Sequence, residues 1–198
     1  MSATNMRPAR PLPAWRAWFQ AIRFFSFTTS TIPIVAASML AWSDGEIAWG
    51  LFVLMLLASM ATHAGCNLTN DYFDDRSGVD TRESLGPSGV LQQGVLTHAE
   101  LRIGIAVAFG LALLLAIPVM LAAGIVVLWI AVLSAAAAFF YTAGPYPLAY
   151  MAMGEMTVFL AMGVGMVGGT YYVHTGELSK PAMLLGVAIG ALAAAILH

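Results

Sequence analysis

The chain has 198 residues, of which 60% are hydrophobic and only 9% charged, with a formal net charge of −2. A soluble domain carries roughly 25% charged residues, so a soluble enzyme, a disordered chain and a nucleic-acid-binding protein are excluded. What remains is an integral membrane protein, and its single cysteine, Cys66, excludes a disulfide framework and a cysteine-based zinc site.

A helix that crosses the hydrocarbon core needs about 20 apolar residues. Six stretches meet that length: 24–42, 47–67, 102–122, 124–142, 154–174 and 182–198. An N-terminal arm, 1–23, precedes the first and holds Arg7, Arg10, Arg16 and Arg23. It looks like the basic end of a signal peptide, but the apolar run is longer than a signal core of about 7–15 residues and more spans follow, so an uncleaved first helix is expected. Pro33 lies inside the first span and Pro118 inside the third, where a helix bundle tolerates the kinks they are expected to cause. The first two spans are joined by Ser43-Asp44-Gly45-Glu46, and a long polar segment, 67–100, separates the second from the third. Ala122-Ala123-Gly124 divides the third from the fourth, Tyr141 to Met153 is rich in Gly, Pro and Tyr, and His174 to Pro181 precedes the last span. That span runs to His198 with no flanking loop or basic anchor, so residues 1–198 read as a single membrane domain expected to be cut short at its C-terminus.

Orientation follows from the basic residues. The arm holds four arginines, the long loop and its edge hold Arg76, Arg82 and Arg102, and Lys180 is the remaining one. One crossing per span puts the arm and the 67–100 loop on the same side and Lys180 opposite. The positive-inside rule makes the arm and the loop cytoplasmic.

Chemistry concentrates where the second span ends. Asp71, Asp74, Asp75, Asp80 and Glu83 are half of the ten acidic residues of the chain. If the helix continues, Asn67, Asp71, Asp74 and Asp75 share one face. Crowded carboxylates at a membrane edge repel one another and are costly without a function, whereas a divalent cation removes the repulsion. Mg²⁺ takes one or two carboxylates together with waters and substrate phosphates, so a diphosphate is the substrate class to expect.

Asn70-Asp71-Tyr72-Phe73-Asp74 followed by Gly78-Val79-Asp80 resembles the first aspartate-rich motif of the UbiA superfamily of intramembrane prenyltransferases. Gly86-Pro87, then Gln92-Gln93-Gly94-Val95-Leu96-Thr97, resembles the branch that prenylates 1,4-dihydroxy-2-naphthoate for menaquinone. So do Tyr141-Thr-Ala-Gly144-Pro145-Tyr146-Pro147-Leu-Ala-Tyr150 and Gly154-Glu155, and Arg23 and Pro33 fit the family opening. The resemblance covers essentially the whole chain, but only about the N-terminal two-thirds of a family member. It implies an all-α bundle of about nine transmembrane helices, six of them here, in the inner membrane of a bacterium. It also implies two aspartate motifs on cytoplasmic loops that bind Mg²⁺ and a polyprenyl diphosphate, from which the prenyl group passes to an aromatic acceptor. The second motif would lie beyond His198.

Carried over by position, Asp71 and Asp74 are the catalytic and metal-binding residues, with Asp80 as the later metal-binding aspartate. Asn67, Asn70, Asp80, Arg23, Arg76, Arg82, Tyr141 and Glu155 are the substrate-binding candidates, and Asp75 has no assigned role. Relatives often carry a basic residue near the position of Ser88; here Arg76, Arg82 and Arg23 are the nearby cations. Within the class the acceptor could instead be 4-hydroxybenzoate, homogentisate, a chlorophyllide or a heme. A reading from another class is a non-enzymatic cation-binding protein or transporter. A transporter places polar groups near the bilayer midplane on several spans, whereas the charges here sit at span ends. No nucleic-acid partner is expected, and the sequence leaves the oligomeric state open.

Three weaker signals remain. Gly163-Val-Gly165-Met-Val-Gly168 matches a dinucleotide-binding pattern, but it lies inside an apolar span with no preceding strand, so its glycines, like Gly186 and Gly190, read as close-packing positions. His63 precedes Asn67 by one helical turn and is the histidine placed to face a cavity. Tyr141, Tyr146 and Tyr150 read equally as an acceptor site or an interfacial belt.

Overall fold

The computed structural model describes residues 13–80, 87–130, 132–133 and 154–196, and every regular element among them is helical. Helix α1 is Ala14–Ala21, α2 Thr28–Ser43, α3 Trp49–Ser77 and α4 His98–Ala123. Helix α5 is Gly154–Thr175 and α6 is Lys180–Ala195, and residues 125–130 are also helical. Among the described residues four stretches are long and apolar enough to cross a membrane: Ala14–Ser43, Trp49–Ser77, His98–Ala123 and Gly154–Thr175. The last sequence-predicted span is helical from Lys180 to Ala195, starting two residues earlier than expected, with Ser179 capping it by accepting the Ala182 N–H at 3.3 Å. Most of the predicted span 124–142 lies outside the described residues.

The second span is the main departure. Predicted to stop at 67, α3 runs on to Ser77, 29 residues in all, and stops only where Gly78 takes a left-handed φ of 75°. A helix of that length extends about 43 Å, well beyond a hydrocarbon core of about 30 Å, so its last turns project into the headgroup layer. The polar residues from Asn67 onward occupy those turns, which lets an acidic sequence stay helical without burying charge in lipid. The following segment returns to α4 through a capping box. Thr97 Oγ1 accepts the Glu100 N–H at 3.2 Å, and Glu100 Oε2 accepts the Thr97 N–H at 2.8 Å.

Lipid tails are as apolar as Leu, so helices in a bilayer associate through close packing of small residues more than through the hydrophobic effect. Ala17 and Ala21 on α1 are fully buried against Leu68 of α3 and Leu101 of α4, with Val90 and Leu96 of the connecting loop closing the cluster. Ala37 and Ala41 of α2 pack against Val167 and Tyr171 of α5 and Ala182 of α6. Within α5, residues Phe159–Gly165 widen into π-helical turns. There Gly163 lies against Gly186 and Gly190 of α6, so these three of the glycines singled out in the sequence are close-packing positions, whereas Gly168 has only ordinary contacts at 3.6 Å and Gly165 meets no other helix. A Cβ on Gly163 would stand 2.5 Å from Gly190 Cα.

Candidate active site

The buried face of the α3 extension carries Asn67 and Asp71, one turn apart and 6% and 4% exposed. Asp71 is met from two sides. Arg23 arrives from the turn between α1 and α2, and its Nη2 donates to Asp71 Oδ1 at 2.5 Å. Ser88, buried in the loop before α4, donates its hydroxyl to Asp71 Oδ2. Gln20 of α1 fixes that loop by donating to the Ser88 carbonyl at 2.6 Å.

Arg23 reaches the site because its own backbone is left-handed, with φ 51°; it is the one non-glycine residue with positive φ among those described. Such a conformation costs roughly 1–2 kcal/mol in an L-residue and persists only where surrounding contacts enforce it. Those contacts are present. Ser26 Oγ donates to the Arg23 carbonyl at 2.8 Å, and Asn67 Nδ2 donates to the Ile22 carbonyl at 2.8 Å and to Ser26 Oγ at 3.3 Å. His63 backs the turn, with Nε2 3.1 Å from Ser26 Oγ and Nδ1 3.0 Å from Ser30 Oγ. His63 therefore supports the residues beneath the carboxylates. Arg23 Nε is buried and has no hydrogen-bond partner among the described residues, which leaves a cationic donor unsatisfied beside Asp71.

Asn70 and Asp74 are partly buried on the same helix. The Asp74 carbonyl accepts the N–H groups of Val79 and Asp80 at 3.0 and 3.2 Å, which folds the chain after Gly78 back over the helix end. Asp80 is thereby brought into the field of the other carboxylates. Partial burial pushes its carboxyl above the usual range, the charges of Asp74 and Asp71 push it further, and Arg23 opposes them.

Asp75 is directed elsewhere. Its Oδ1 accepts from Gln92 Nε2 at 3.1 Å, and its Oδ2 lies 2.8 Å from His98 Nε2. Arg76 likewise points to the neighbouring flank, donating to the Tyr72 hydroxyl at 3.2 Å. The turn between α2 and α3 packs on the end of α5, where Tyr171 donates to Asp44 at 2.8 Å. Antiparallel passage of α5 therefore puts its first turn, with exposed Glu155, at the same end of the bundle as Asp71. Arg82 and Tyr141 lie outside the described residues. Ser88 and Gln20 are site residues that the sequence did not single out.

Among the described residues no three His, Cys, Asp or Glu side chains converge on a point that would hold a metal ion. The donor chemistry nonetheless suits a hard divalent cation. The available groups are carboxylates that repel one another, and Mg²⁺ needs only one or two of them when phosphate oxygens and waters complete its shell.

The sequence profile of the UbiA prenyltransferase family matches residues 30–198. The 1,4-dihydroxy-2-naphthoate octaprenyltransferase of Bacillus subtilis is 28% identical over 90% of this chain and 57% of its own length. That of Escherichia coli is 29% identical over 92% of this chain and 61% of its own length. The UbiA prenyltransferase domain-containing protein 1 of Gallus gallus is 29% identical over 95% and 58%. The chain thus spans about three-fifths of the length of these curated relatives. No solved structure gives a significant match. With an all-helical membrane bundle, the aspartate motif on the α3 extension and a profile match from residue 30 onward, the chain belongs to the UbiA prenyltransferase family.

Proposed function

We propose that the protein transfers a polyprenyl group from a polyprenyl diphosphate to an aromatic acceptor, with Mg²⁺ as cofactor and 1,4-dihydroxy-2-naphthoate as acceptor. The observation that carries this reading is the buried Asp71 carboxylate, set between Arg23 and Ser88 beside Asp74 and Asp80 at the membrane edge. The choice of acceptor rests on the bacterial relatives, whose names specify dihydroxynaphthoate.

Asp71, Asp74 and Asp80 are the residues to hold Mg²⁺. When bound, the cation neutralises the diphosphate leaving group and so lowers the barrier to breaking the allylic C–O bond. Arg23, with Nε unsatisfied, supplies a fixed positive charge where negative charge accumulates on the departing diphosphate. Asn67 and Ser26 hold the backbone that presents Arg23, and Ser88 and Gln20 hold the opposite wall. Asn70 and Arg82 complete the polar groups assigned to the diphosphate; Arg76, a candidate by sequence, turns to the Tyr72 flank and is left out of that set. Glu155 and Tyr141 are assigned to the acceptor side, where a carboxylate would take the proton released as the ring carbon is alkylated. The apolar bundle keeps water from the allylic cation, which would otherwise be hydrolysed. The active end faces the cytoplasm of a bacterial inner membrane, as the basic residues direct.

The test is prenyl transfer from a polyprenyl diphosphate to dihydroxynaphthoate in membranes containing the expressed protein. Asp71→Ala and Asp74→Ala are each expected to lower Mg²⁺-dependent transfer by at least about a hundredfold, the loss of about 2.7 kcal/mol of transition-state stabilisation. Membrane insertion should be unchanged. Near-normal turnover in either variant would overturn the assignment of these carboxylates.

A further inference from the structure

The flank of α3 that turns away from Asp71 forms a second polar site. Tyr72, Asp75, Arg76, His98 and Arg102 line an open cavity of about 430 Å³ between the last turns of α3 and the first turns of α4. Both Asp75 oxygens are already engaged, by Gln92 and His98. Tyr72 supports the other two groups: Arg76 lies 5.7 Å from its ring centroid, and the His98 ring meets it edge-on at 5.7 Å. Arg102 is exposed and makes no hydrogen bond or ion pair among the described residues. Two guanidinium groups facing one carboxylate leave the cavity with a net positive charge, and planar guanidinium donors suit phosphate oxygens.

The surface below the cavity indicates which phosphate. Along α4, Ala106 and Gly110 follow Arg102 at helical intervals of four and are exposed. A Cβ on Gly110 would meet nothing within 4 Å. Ile103 and Val107, each 64% exposed, stand beside this strip of small residues. The result is an exposed apolar strip running from the cationic cavity down the face of a spanning helix. A free anion would use only the cavity; an amphiphile uses both parts.

We propose that this cavity binds the phosphodiester headgroup of an anionic phospholipid, with an acyl chain lying along the Ala106–Gly110 strip. Arg102 and Arg76 hold the phosphate, and the Asp75–His98 pair fixes the rim that separates it from the carboxylates on the other flank. The bound lipid would brace the α3 extension, from which Asp71 and Asp74 project, against α4.

The experiment uses the full chain in neutral detergent micelles, with phosphatidylglycerol or phosphatidylcholine added and bound lipid counted by native mass spectrometry. One phosphatidylglycerol should be retained in preference to phosphatidylcholine. Arg102→Gln, which keeps a long polar side chain but removes the charge, should weaken that binding about fivefold, the share of one juxtamembrane basic contact. Arg102→Lys should recover most of it. Lys180→Ala removes an exposed cation at the opposite end of the bundle and should change affinity by less than about twofold, as an exposed charge away from the cavity does. Undiminished phosphatidylglycerol binding in Arg102→Gln would overturn the proposal, as would an equal loss in Lys180→Ala, which would signify a diffuse charge effect. Displacement of the lipid by an equal concentration of inorganic phosphate would assign the cavity to a free anion and overturn the lipid reading.

Discussion

Arg23 combines three unfavourable features at one position: a left-handed backbone, a charge only 14% exposed, and a buried Nε without a partner among the described residues. The charge is compensated chiefly by the Asp71 carboxylate, 4% exposed. A buried ion pair contributes little net stability relative to an apolar pair, but removing one partner strands the other charge. Arg23→Ala is therefore expected to destabilise the protein by about 3–5 kcal/mol in mixed micelles. Adding Asp71→Asn should restore most of that loss, because the amide is neutral and its oxygen can still accept from Ser88. An Arg23→Ala variant that unfolds within about 1 kcal/mol of the parent would show that water, not Arg23, solvates Asp71. The pairing also has a consequence for function. Under the proposed function, Arg23 and a divalent cation would compete for the same carboxylate, and diphosphate binding, which attracts both cations, would be the event that lets Asp71 exchange one for the other.

At the scale of elements, the periodicity of the sequence was informative and its boundaries were not. The expected shared face of Asn67, Asp71, Asp74 and Asp75 holds for Asn67 and Asp71, four apart and both buried, whereas Asp75 turns to Gln92 and His98. The end of α3 was misplaced by ten residues because hydropathy marks where apolar residues stop, whereas a helix stops where its backbone can no longer continue, here at the left-handed Gly78. Ser88 was invisible for a different reason. Its bond to Asp71 spans 17 residues, and Gln20 reaches it across 68, and no local pattern encodes such contacts. Gly163, Gly186 and Gly190 were legible, because small residues at helical spacing have few uses in a membrane other than close approach. Gly163 makes the point quantitative. Its substitution by Ala would set a Cβ against the Gly186 carbonyl and Gly190 Cα, both backbone atoms that cannot rotate away. Gly163→Ala should cost about 1–3 kcal/mol, the usual penalty for overpacking, despite the better helix propensity of alanine. Gly50→Ala, in open space on α3, should be neutral or stabilising by up to about 1 kcal/mol. Equal effects at the two positions in equilibrium unfolding would mean that the α5–α6 contact is looser than the structure shows.

For the whole molecule, the decisive property is polarity along the membrane normal. One end of the bundle carries Arg16, Arg23, the carboxylates of the α3 extension, Arg76 and Arg102; the other carries Asp44, Glu46, Glu177 and Lys180. This separation was readable from sequence because charged residues are excluded from the spans and collect at their ends. Which end faces the cytoplasm is a separate question, and it bears on function. Under the proposed function, a water-soluble acceptor and a diphosphate product on the cytoplasmic side would require the aspartates at that end. The basic excess at the aspartate end predicts that orientation. In a Cys66→Ser background, Ser77→Cys and Ser43→Cys place single thiols at exposed positions on opposite ends. A membrane-impermeant maleimide should label Ser43→Cys in intact cells and Ser77→Cys only in inverted vesicles. The reverse pattern would put the carboxylates, Arg23 and the Arg102 cavity outside the cell. Cytoplasmic Mg²⁺ and diphosphate would then have no access to Asp71, and the transferase reading would fail even with every side-chain contact in place.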